Sequence, residues 1–589
     1  MKKTNEAHNA HFGGYMKLAS KMIGVLAIAV SLFGCASSQK KTQSSLPKID
    51  MNAWSYNEAD DVYYQIGISY AANPADEKFE TLGLFVPGAY FEGTANGDGT
   101  YSVRVNKSGT VDDFTAETAP FVIPIQTPGY ASLEAPTAYE PRVTDYTKNG
   151  FIFIYAGARG KEHGAPAGVT DFKAAIRYVR YNKAILPGDT ARVFTYGMSG
   201  GGAQSALMGA TGDAAEYDAY LKAIGAVMTE SDAVMGSMDW CPITNLDVAD
   251  GAYEWELGTA RAGLDEETKS ISDALALSFA QHINELKLKD ENGAVLTLEQ
   301  SEDGLYHSGS YYDYLKTVIE TSLNNFLADT TFPYNAEVQK AALGTNMLLP
   351  PDWKPRGPAG MNQDDAPSAE AMDGVERNKA ANNNVSLSGT YETVEDYIAA
   401  LNANENWVHY DAESNTAHIE SVEAFMRNVK QLQKNVGAFD DFSGTQPENM
   451  LFGLNDGEVS HFDSALAEIL SGSEKGDEYK AAIARKDSVG QSVSYRVNMY
   501  NPMYYLSPAY KGFQKSTVAK YWRIHAGIFQ GDTAISTELD YYLALLQYGS
   551  SVKSAEFADV WGLYHTEAER KGTSTDNFIA WVKECLKSE

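Results

Sequence analysis

Cysteine is scarce in this sequence, and no familiar arrangement of metal-binding residues occurs. Three cysteines stand among 589 residues, with no CxxC, no HExxH and no close cluster of His and Cys. A disulfide framework, a structural zinc site and a catalytic metal site are therefore not expected, and no cofactor is predicted. Cys241 and Cys585 lie far apart in the chain. They could pair outside the cytoplasm, and the sequence leaves this open.

Positive charge is also in short supply. The chain has 47 Lys and Arg against 78 Asp and Glu, a formal net charge of −31. Such an acidic surface repels phosphate groups, which excludes DNA and RNA as partners, and it is typical of the solubilising surface of an exported protein. The 44% of apolar residues support a packed core. The length indicates several domains of about 100–200 residues, or one large domain with an insertion.

The N-terminal region lacks an apolar run long enough for a permanent membrane-spanning helix. A shorter run over residues 22–33 follows two lysines and closes in "LFGC", which ends at Cys35. This pattern resembles a bacterial lipoprotein signal, in which Cys35 becomes the lipidated first residue; the alternative is an ordinary signal peptide with an incidental cysteine. We predict a signal peptide over residues 1–35, a polar tether over 36–48, and an exported protein anchored to the membrane on the periplasmic or cell-surface side.

Apolar runs alternate with helical patterns in the first half of the chain. "GFIFIYAGARG" is followed by "VTDFKAAIRYVRYN", and "ARVFTYG" by "GGAQSALMG". This rhythm predicts an α/β fold with a mostly parallel sheet, beginning in residues 49–244. Residues 245–495 instead carry mainly helical segments, which we interpret as an inserted lid or cap. The strand–helix rhythm resumes in residues 496–589, which we expect to complete the sheet.

The segment "YGMSGGG" places Ser199 between a buried strand and a helix. Gly-x-Ser-x-Gly in this context is the nucleophile elbow of α/β-hydrolases, in which small residues two positions on either side avoid collisions with adjacent strands. Gly197 and Gly201 satisfy that requirement. We predict that Ser199 is the nucleophile. The backbone N–H of Gly200 is predicted as one oxyanion donor, and that of Gly157, in the turn after the preceding strand, as the other.

The elbow also predicts the chain order of its partners, with an acid and then a histidine after Ser199. His525 lies inside an apolar strand pattern, so a buried structural role fits it better. His565 follows the last predicted strand, where a loop-borne general base belongs. The acid is less determined. Asp532 is the carboxylate of the loop "FQGDTA" and could instead begin the next helix; Asp239, near the end of an earlier strand, is the second candidate.

Several longer segments together resemble the bacterial tannase group (subtype B) of α/β-hydrolases, esterases that cleave galloyl esters. The matching segments span nearly the whole mature chain in the family's order: "YAGARG", "GMSGGGAQSALMGATG", "CPITNLDVADGAYEW", "AFDDFSGTQPENMLFG", "NMYNPMYYL", "WRIHAGIFQGDTA" and "VWGLYH". The resemblance implies a hydrolase sheet with a large inserted lid. It also implies a small-molecule ester as substrate.

The resemblance further implies that Lys434, Glu448 and Asp532 bind the three phenolic hydroxyls of a galloyl group, since two carboxylates and an ammonium can pair with three adjacent hydroxyls. This sequence departs from the family at Gln530, where the family has the acid of the triad. Either Asp532 takes over as the acid, with Gln530 among the substrate-binding residues, or the histidine borrows another carboxylate.

The function predicted from these patterns is an exported serine esterase that acts on aromatic acyl esters, of galloyl or hydroxycinnamoyl type, through an acyl-serine intermediate. Two alternatives stay open. One is a peptidase or another acyl transferase on the same fold, because a fold does not determine its chemistry. The other is a surface binding protein whose hydrolase site has weakened.

Overall fold

The computed structural model describes residues 46–302, 304–336, 384–385, 387–430, 432–455 and 457–589. The predicted signal peptide, Cys35 and most of the tether lie outside the described residues, as does part of the predicted lid. The last tether residues differ from expectation: Leu46 is buried, and the carbonyl of Pro47 accepts a hydrogen bond from Tyr178. None of the described helices has the length and apolar character needed to cross a membrane.

The strands of the described residues build one large sheet and four small two-stranded sheets. In chain order they are β1 (Ser55–Asn57), β2 (Val62–Ser69), β3 (Thr81–Pro87), β4 (Phe91–Ala95), β5 (Tyr101–Val105), β6 (Thr110–Val111), β7 (Phe114–Thr115), β8 (Phe121–Ile125), β9 (Ile152–Ala156), β10 (Val193–Met198), β11 (Gly236–Trp240), β12 (Tyr334–Asn335), β13 (Thr390–Tyr391), β14 (Val408–Asp411), β15 (Thr416–Ile419), β16 (Tyr521–Gly527) and β17 (Ser554–Val560).

Helices also form in the described residues, both beside the large sheet and in the chain between β11 and β16. They are α1 (Thr144–Thr147), α2 (Ala167–Tyr181), α3 (Gly200–Ala210), α4 (Asp218–Ala223), α5 (Ala249–Leu257), α6 (Glu266–Leu286), α7 (Ser310–Asp329), α8 (Val394–Leu401), α9 (Val422–Asn428), α10 (Pro447–Leu451), α11 (Ser464–Ile469), α12 (Glu474–Ala484), α13 (Val493–Met499), α14 (Pro502–Leu506), α15 (Ile535–Gln547) and α16 (Ser574–Lys587).

The large sheet has nine strands in the order β1-β2-β3-β9-β8-β10-β11-β16-β17. The first four strands pair antiparallel, and the pairs from β9 to β17 are all parallel. Strands β8, β9 and β11 are fully buried, which explains their continuous apolar runs, because helices cover both faces of a parallel sheet. The predicted α/β-hydrolase fold with a mostly parallel sheet is therefore confirmed.

Strand β10 lies near the middle of this sheet, between β8 and β11. Gly197, at its end, is opposite Ile125 of β8 and Asp239 of β11. Since these three strands are parallel, their carboxyl ends meet at one edge, where ligands bind in open α/β sheets. The loops after β8, β10, β16 and β17 therefore converge on the region around Ser199.

The chain between β11 and β16 carries α5 to α14 and the two-stranded sheets β12–β13 and β14–β15. This segment packs against the hydrolase sheet: the rings of Phe425 in α9 and Trp561, just after β17, have centroids 5.7 Å apart. The described residues of the insertion and of the sheet share one hydrophobic core. The predicted boundaries at residues 245 and 495, and the role of a lid, stay predictions.

Candidate active site

Ser199 occupies a strained turn between β10 and α3. Its backbone has φ 62° and ψ −127°, a conformation that L-residues with side chains rarely adopt. The backbone N–H of Ser199 donates to the carbonyl of Trp240 in β11 (2.9 Å). This geometry is that of a nucleophile elbow, which presents the serine hydroxyl above the end of the sheet.

The glycines around Ser199 are required by close backbone contacts. A Cβ atom at Gly197 would overlap the carbonyl group of Gly201, and one at Gly201 would overlap the carbonyl oxygen of Ile125 in β8. Backbone atoms cannot move aside as flexible side chains can. The small residues that the sequence pattern demanded therefore let α3 pack directly against β8 and β10.

One predicted oxyanion donor is placed well and the other is not. Gly200 is the first residue of α3, so its N–H has no acceptor within the helix. Gly157 follows β9, which β8 separates from β10, and its N–H donates to the carbonyl of Thr81 (2.9 Å). Because this donor is already engaged two strands away from the elbow, the prediction for Gly157 is wrong.

The loop after β8 lies where the second oxyanion donor is needed. A Cβ atom at Gly200 would lie 2.6 Å from the backbone nitrogen of Tyr130 and 2.8 Å from the carbonyl oxygen of Thr127. Pro128 has no N–H, and the N–H of Tyr130 already donates to the carbonyl of Thr127 (2.8 Å), so Gln126, Thr127 and Gly129 are the residues of this loop that could supply the donor. Sequence reasoning missed this loop because it overlooked β8, although "FVIPI" is an apolar run that ends at a Gln-Thr-Pro turn.

His565 is oriented by Gln530. Its Nδ1 atom lies 2.6 Å from Oε1 of Gln530. A side-chain amide oxygen only accepts hydrogen bonds, so Nδ1 carries the proton and Nε2 is left with a lone pair. The loop after β16, which carries Gln530, packs closely against the loop after β17, which carries His565. The N–H of Phe529 donates to the carbonyl of Leu563 (3.0 Å), and a Cβ atom at Gly527 would overlap the carbonyl oxygen of Tyr564.

The two candidate acids, Asp532 and Asp239, differ in their position relative to His565. Oδ2 of Asp532 lies 3.8 Å from Nδ1 of His565, which is beyond hydrogen-bond distance but within reach of a strong charge interaction. The carboxylate of Asp239 instead accepts from Ser237 and Tyr541 (2.7 Å each), and burial raises its pKa to about 7. Gln530 is thus the hydrogen-bond partner of the histidine, Asp532 is a nearby charge, and Asp239 is engaged elsewhere.

The electrostatic surroundings favour a neutral His565. Burial lowers the pKa of its imidazole; the charge of Asp532 opposes this shift, and that of Lys434 adds to it. A histidine that is neutral near pH 7 can accept a proton, as a general base must. His525 has the structural role expected of it, because it is buried in β16 with Nδ1 3.2 Å from the carbonyl oxygen of Ala568.

Tyr253 of α5 holds the segment of Lys434 beside the loop of Asp532. Its hydroxyl accepts from the backbone N–H groups of Gln433 (3.1 Å) and Lys434 (3.2 Å) and donates to the carbonyl of Gly531 (2.9 Å). The ammonium group of Lys434 lies 3.6 Å from the ring centroid of Phe439, a distance typical of a cation–π contact. No local sequence pattern predicts this role for Tyr253.

Glu448 faces the same region from α10. It is buried, and its Oε2 atom has no hydrogen-bond partner among the described residues. Burial raises the pKa of its carboxyl group, while the charges of Lys434 and Lys161 lower it and that of Asp532 raises it. The three residues implied by the family resemblance are therefore close enough to interact electrostatically. Lys161, whose Nζ donates to the carbonyl of Gly129 (3.0 Å), was not predicted.

The two cysteines of the described chain are unpaired. Cys241 and Cys585 are both buried and free, and the Sγ atom of Cys241 lies 3.1 Å from the carbonyl oxygen of Thr566. Within the described ranges, no group of three or more His, Cys, Asp or Glu side chains is arranged to hold a metal ion.

Comparisons with known proteins point to the same architecture. The family model BD-FAE, of an α/β-hydrolase family, matches residues 112–285, and a comparison with curated protein sequences gave no match. The native structure of the tannin acyl hydrolase from Lactobacillus plantarum is 23% identical, covering 92% of this chain and 98% of that chain with a TM-score of 0.63.

Two further solved structures are similar. The tannase of Fusobacterium nucleatum is 22% identical, covering 89% of this chain and 95% of that chain with a TM-score of 0.63. A tannin acyl hydrolase in complex with ethyl gallate is 24% identical, covering 92% and 98% with a TM-score of 0.61. Together with the strand order and the elbow at Ser199, these similarities confirm the predicted resemblance at the level of the fold: this chain has the α/β-hydrolase fold of the bacterial tannases.

Proposed function

We propose that the chain is a serine ester hydrolase of the tannase type. One observation carries this proposal: Ser199 lies on a strained elbow, in a fold whose last loop holds a histidine with its Nδ1 proton fixed by a hydrogen bond. A serine on such a turn and a histidine with a free Nε2 lone pair are the two groups that acyl transfer requires. The similarity to tannases supports ester hydrolysis as the reaction.

The reaction proceeds through an acyl-serine intermediate. The Oγ atom of Ser199 attacks the ester carbonyl while Nε2 of His565 takes the hydroxyl proton. The developing oxyanion is bound by the N–H of Gly200 and a backbone N–H of the loop after β8. The bond to the alcohol oxygen then breaks, and His565 protonates that oxygen. Water, deprotonated by His565, attacks the acyl-serine, and the acid leaves as Ser199 regains its proton.

The acyl group is proposed to be aromatic and to carry phenolic hydroxyls, as galloyl and hydroxycinnamoyl groups do. Support comes from the charges beside His565: Lys434 can donate, Asp532 can accept, and Glu448 has a buried carboxyl oxygen without a partner in the described chain. An unpaired buried carboxyl oxygen is costly, and a phenolic hydroxyl would satisfy it. The protein is further proposed to be exported and anchored to a membrane by a lipid on Cys35.

A fluorophosphonate probe tests the nucleophile without requiring the natural substrate. We expect the native protein to be labelled at Ser199 and the Ser199→Ala variant to stay unlabelled. Ser205→Ala, also in α3 and buried, is the matched control and should be labelled as the native protein is. Release of acid from methyl gallate, methyl ferulate and p-nitrophenyl acetate would then rank the acyl groups.

A second candidate function is a surface binding protein with a weakened hydrolase site. The observation that favours it is the neutral Gln530 beside His565, since an amide cannot stabilise the imidazolium ion by charge. The probe separates the two functions. Absence of labelling on the native protein, with binding of gallate esters retained, would favour the binding protein.

A further inference from the structure

A buried acid, Glu538, lies on the side of Gln530 that faces away from His565. The amide group of Gln530 bridges two side chains: its Oε1 accepts from Nδ1 of His565 (2.6 Å), and its Nε2 donates to Oε1 of Glu538 (2.9 Å). Gln530 and Glu538 are each only 1% exposed. The three side chains thus form one line of hydrogen bonds, which leads from the partly exposed general base into the buried interior of the protein.

The direction of the amide in this line matters for catalysis. If the amide rotated by half a turn, its NH₂ group would face Nδ1 of His565, and Nδ1 would have to become the acceptor. The ring proton would then sit on Nε2, where it blocks proton transfer from Ser199. An amide cannot distinguish these two orientations by shape, because its oxygen and nitrogen are nearly equal in size. A third group must set the direction.

We propose that Glu538 is that group, a positioning residue that directs the amide oxygen of Gln530 toward His565 and so fixes the catalytic tautomer. This inference rests on the proposed serine mechanism and deepens it. An acceptor oxygen at the far end of the amide favours the orientation with NH₂ toward Glu538 and the carbonyl oxygen toward His565. Glu538 acts on the base only through Gln530 and does not touch the substrate.

The surroundings of Glu538 leave its carboxyl group available for this role. Glu538 lies in the first turn of α15, where an acidic side chain often caps free backbone N–H groups. Here Glu256 fills that place, because its carboxylate accepts from the N–H groups of Ile535 (2.9 Å) and Ser536 (2.6 Å). Oε2 of Glu538 has no hydrogen-bond partner within the described ranges, so its contact with Gln530 is the one hydrogen bond the structure gives its carboxyl group.

Glu538 sets the direction of the amide through the acceptor oxygen that faces Gln530, Oε1; when the carboxyl group is protonated, this requires the proton to be on Oε2, which has no hydrogen-bond partner within the described ranges. Burial, with the charges of Asp559 and Glu256, raises the pKa of Glu538 well above its usual range, and Lys430 opposes this shift. A neutral carboxyl group still has a carbonyl oxygen that accepts a hydrogen bond. An amide in place of the acid keeps an acceptor oxygen but adds an NH₂ donor, so it favours the observed direction less strongly than the acid, whereas an aliphatic side chain of similar length offers neither group. Comparing the two replacements therefore separates the effect of a hydrogen-bond acceptor at position 538 from the effect of a negative charge there.

The experiment compares Glu538→Met with Glu538→Gln. We expect Glu538→Met to lower both the rate of fluorophosphonate labelling and kcat at least tenfold, on the order of one hydrogen-bond energy, with KM within about twofold because the acyl site is untouched. Glu538→Gln should label faster than Glu538→Met and no faster than the native protein, because its amide can still offer an acceptor oxygen to Gln530. Unchanged labelling in Glu538→Met, or equal loss in both variants, would overturn the proposal.

Testing Glu538→Met in a protein that also carries Gln530→Glu separates positioning of the Gln530 amide from a general effect on folding. Gln530→Glu replaces the amide with a carboxyl group whose two oxygens are equivalent acceptors when ionised, so no direction needs to be set. In that background, Glu538→Met should change the labelling rate by less than about twofold. An equal loss in both backgrounds would show a structural role instead. If the native protein is not labelled at all, the proposed function fails, and this outcome is distinct from labelling that ignores Glu538.

Discussion

The Nδ1 atom of His565 is hydrogen-bonded to the amide oxygen of Gln530 at 2.6 Å, while the nearest carboxylate oxygen of Asp532 lies 3.8 Å from the same atom. In a Ser-His-Asp triad one carboxylate both orients the histidine and stabilises its cation. Here the two tasks are divided. The neutral Gln530 orients the ring, and the charge of Asp532 acts on it from a short distance.

Restoring a carboxylate at the orienting position should accelerate the reaction. We expect Gln530→Glu to raise kcat and the labelling rate of Ser199 by about tenfold or more, because a hydrogen-bonded carboxylate stabilises the imidazolium ion that forms during attack; replacing the acid of a serine protease by its amide costs about 10⁴-fold. The measurement is the second-order rate of fluorophosphonate labelling, with p-nitrophenyl acetate hydrolysis beside it. A rate at or below that of the native protein, with the fold retained, would contradict this expectation.

The pH dependence of labelling should respond in opposite directions to the two charges beside His565. The charge of Asp532 raises the pKa of His565, and that of Lys434 lowers it. Asp532→Asn should therefore move the acid limb of the rate profile to lower pH, and Lys434→Met should move it to higher pH, since this limb reports the free enzyme's base. Labelling from pH 4 to 9 measures both, and shifts of the same sign would disprove the placement of these groups around the histidine.

A side chain at Gly201 should destroy the elbow. Gly201→Ala places a Cβ atom on the carbonyl oxygen of Ile125 in β8, so the strand and α3 must separate. We expect loss of Ser199 labelling and a fall of several °C in Tm, since overpacking costs about 1–3 kcal/mol. Ala203→Gly in the same helix is the control. It creates no overlap, should cost about 1 kcal/mol of helix propensity, and should leave labelling intact.

Asp239 should affect stability and not catalysis. Burial raises its pKa to about 7, above the value of about 3.9 in an unfolded chain. Its contribution to stability is therefore fully present below about pH 4 and is lost as the pH rises through 7. Compared with Asp239→Asn, the native protein should lose up to about 1.4 kcal/mol of unfolding free energy per pH unit between pH 5 and 7. Urea denaturation at both values measures this difference.

The same variant tests the second candidate for the triad acid. The carboxylate of Asp239 is bound to Ser237 and Tyr541, so Asp239→Asn should label at Ser199 as fast as the native protein at pH 7. A loss of labelling comparable to that of a triad variant would return Asp239 to the active site and contradict its position in the structure.

Local sequence patterns were sufficient for the elements that build the sheet. Buried parallel strands must be apolar along their whole length, and helices repeat their apolar residues every three to four positions, so β9, β10, α2 and α3 could be predicted from short segments. The elbow was also predictable, because a strained serine between close-packed backbones permits only glycine two positions away. The chain order that follows from this fold then led to His565.

Contacts between distant loops could not be predicted in the same way. The apparent strand–helix rhythm predicts Gly157 as an oxyanion donor, because this residue follows the strand before the elbow, but hydrogen bonds place β8 between β9 and β10. Strand order depends on long-range pairing that no local segment encodes. The position of the loop of residues 126–129 beside Ser199 therefore follows only from the strand order of the folded sheet.

The sequence by itself determined the proposed nucleophile, the proposed base and the two positions from which that base could be supported. Each of these follows from a local requirement: room for a strained turn, or a polar residue in a loop after a buried strand. Only the tertiary structure decided that Gln530 and not Asp532 touches His565, and that Glu538 lies at the far end of the amide. Whether a hydrogen bond forms depends on small differences in the distance between donor and acceptor. Here those distances are determined by how β16, β17 and α15 pack together.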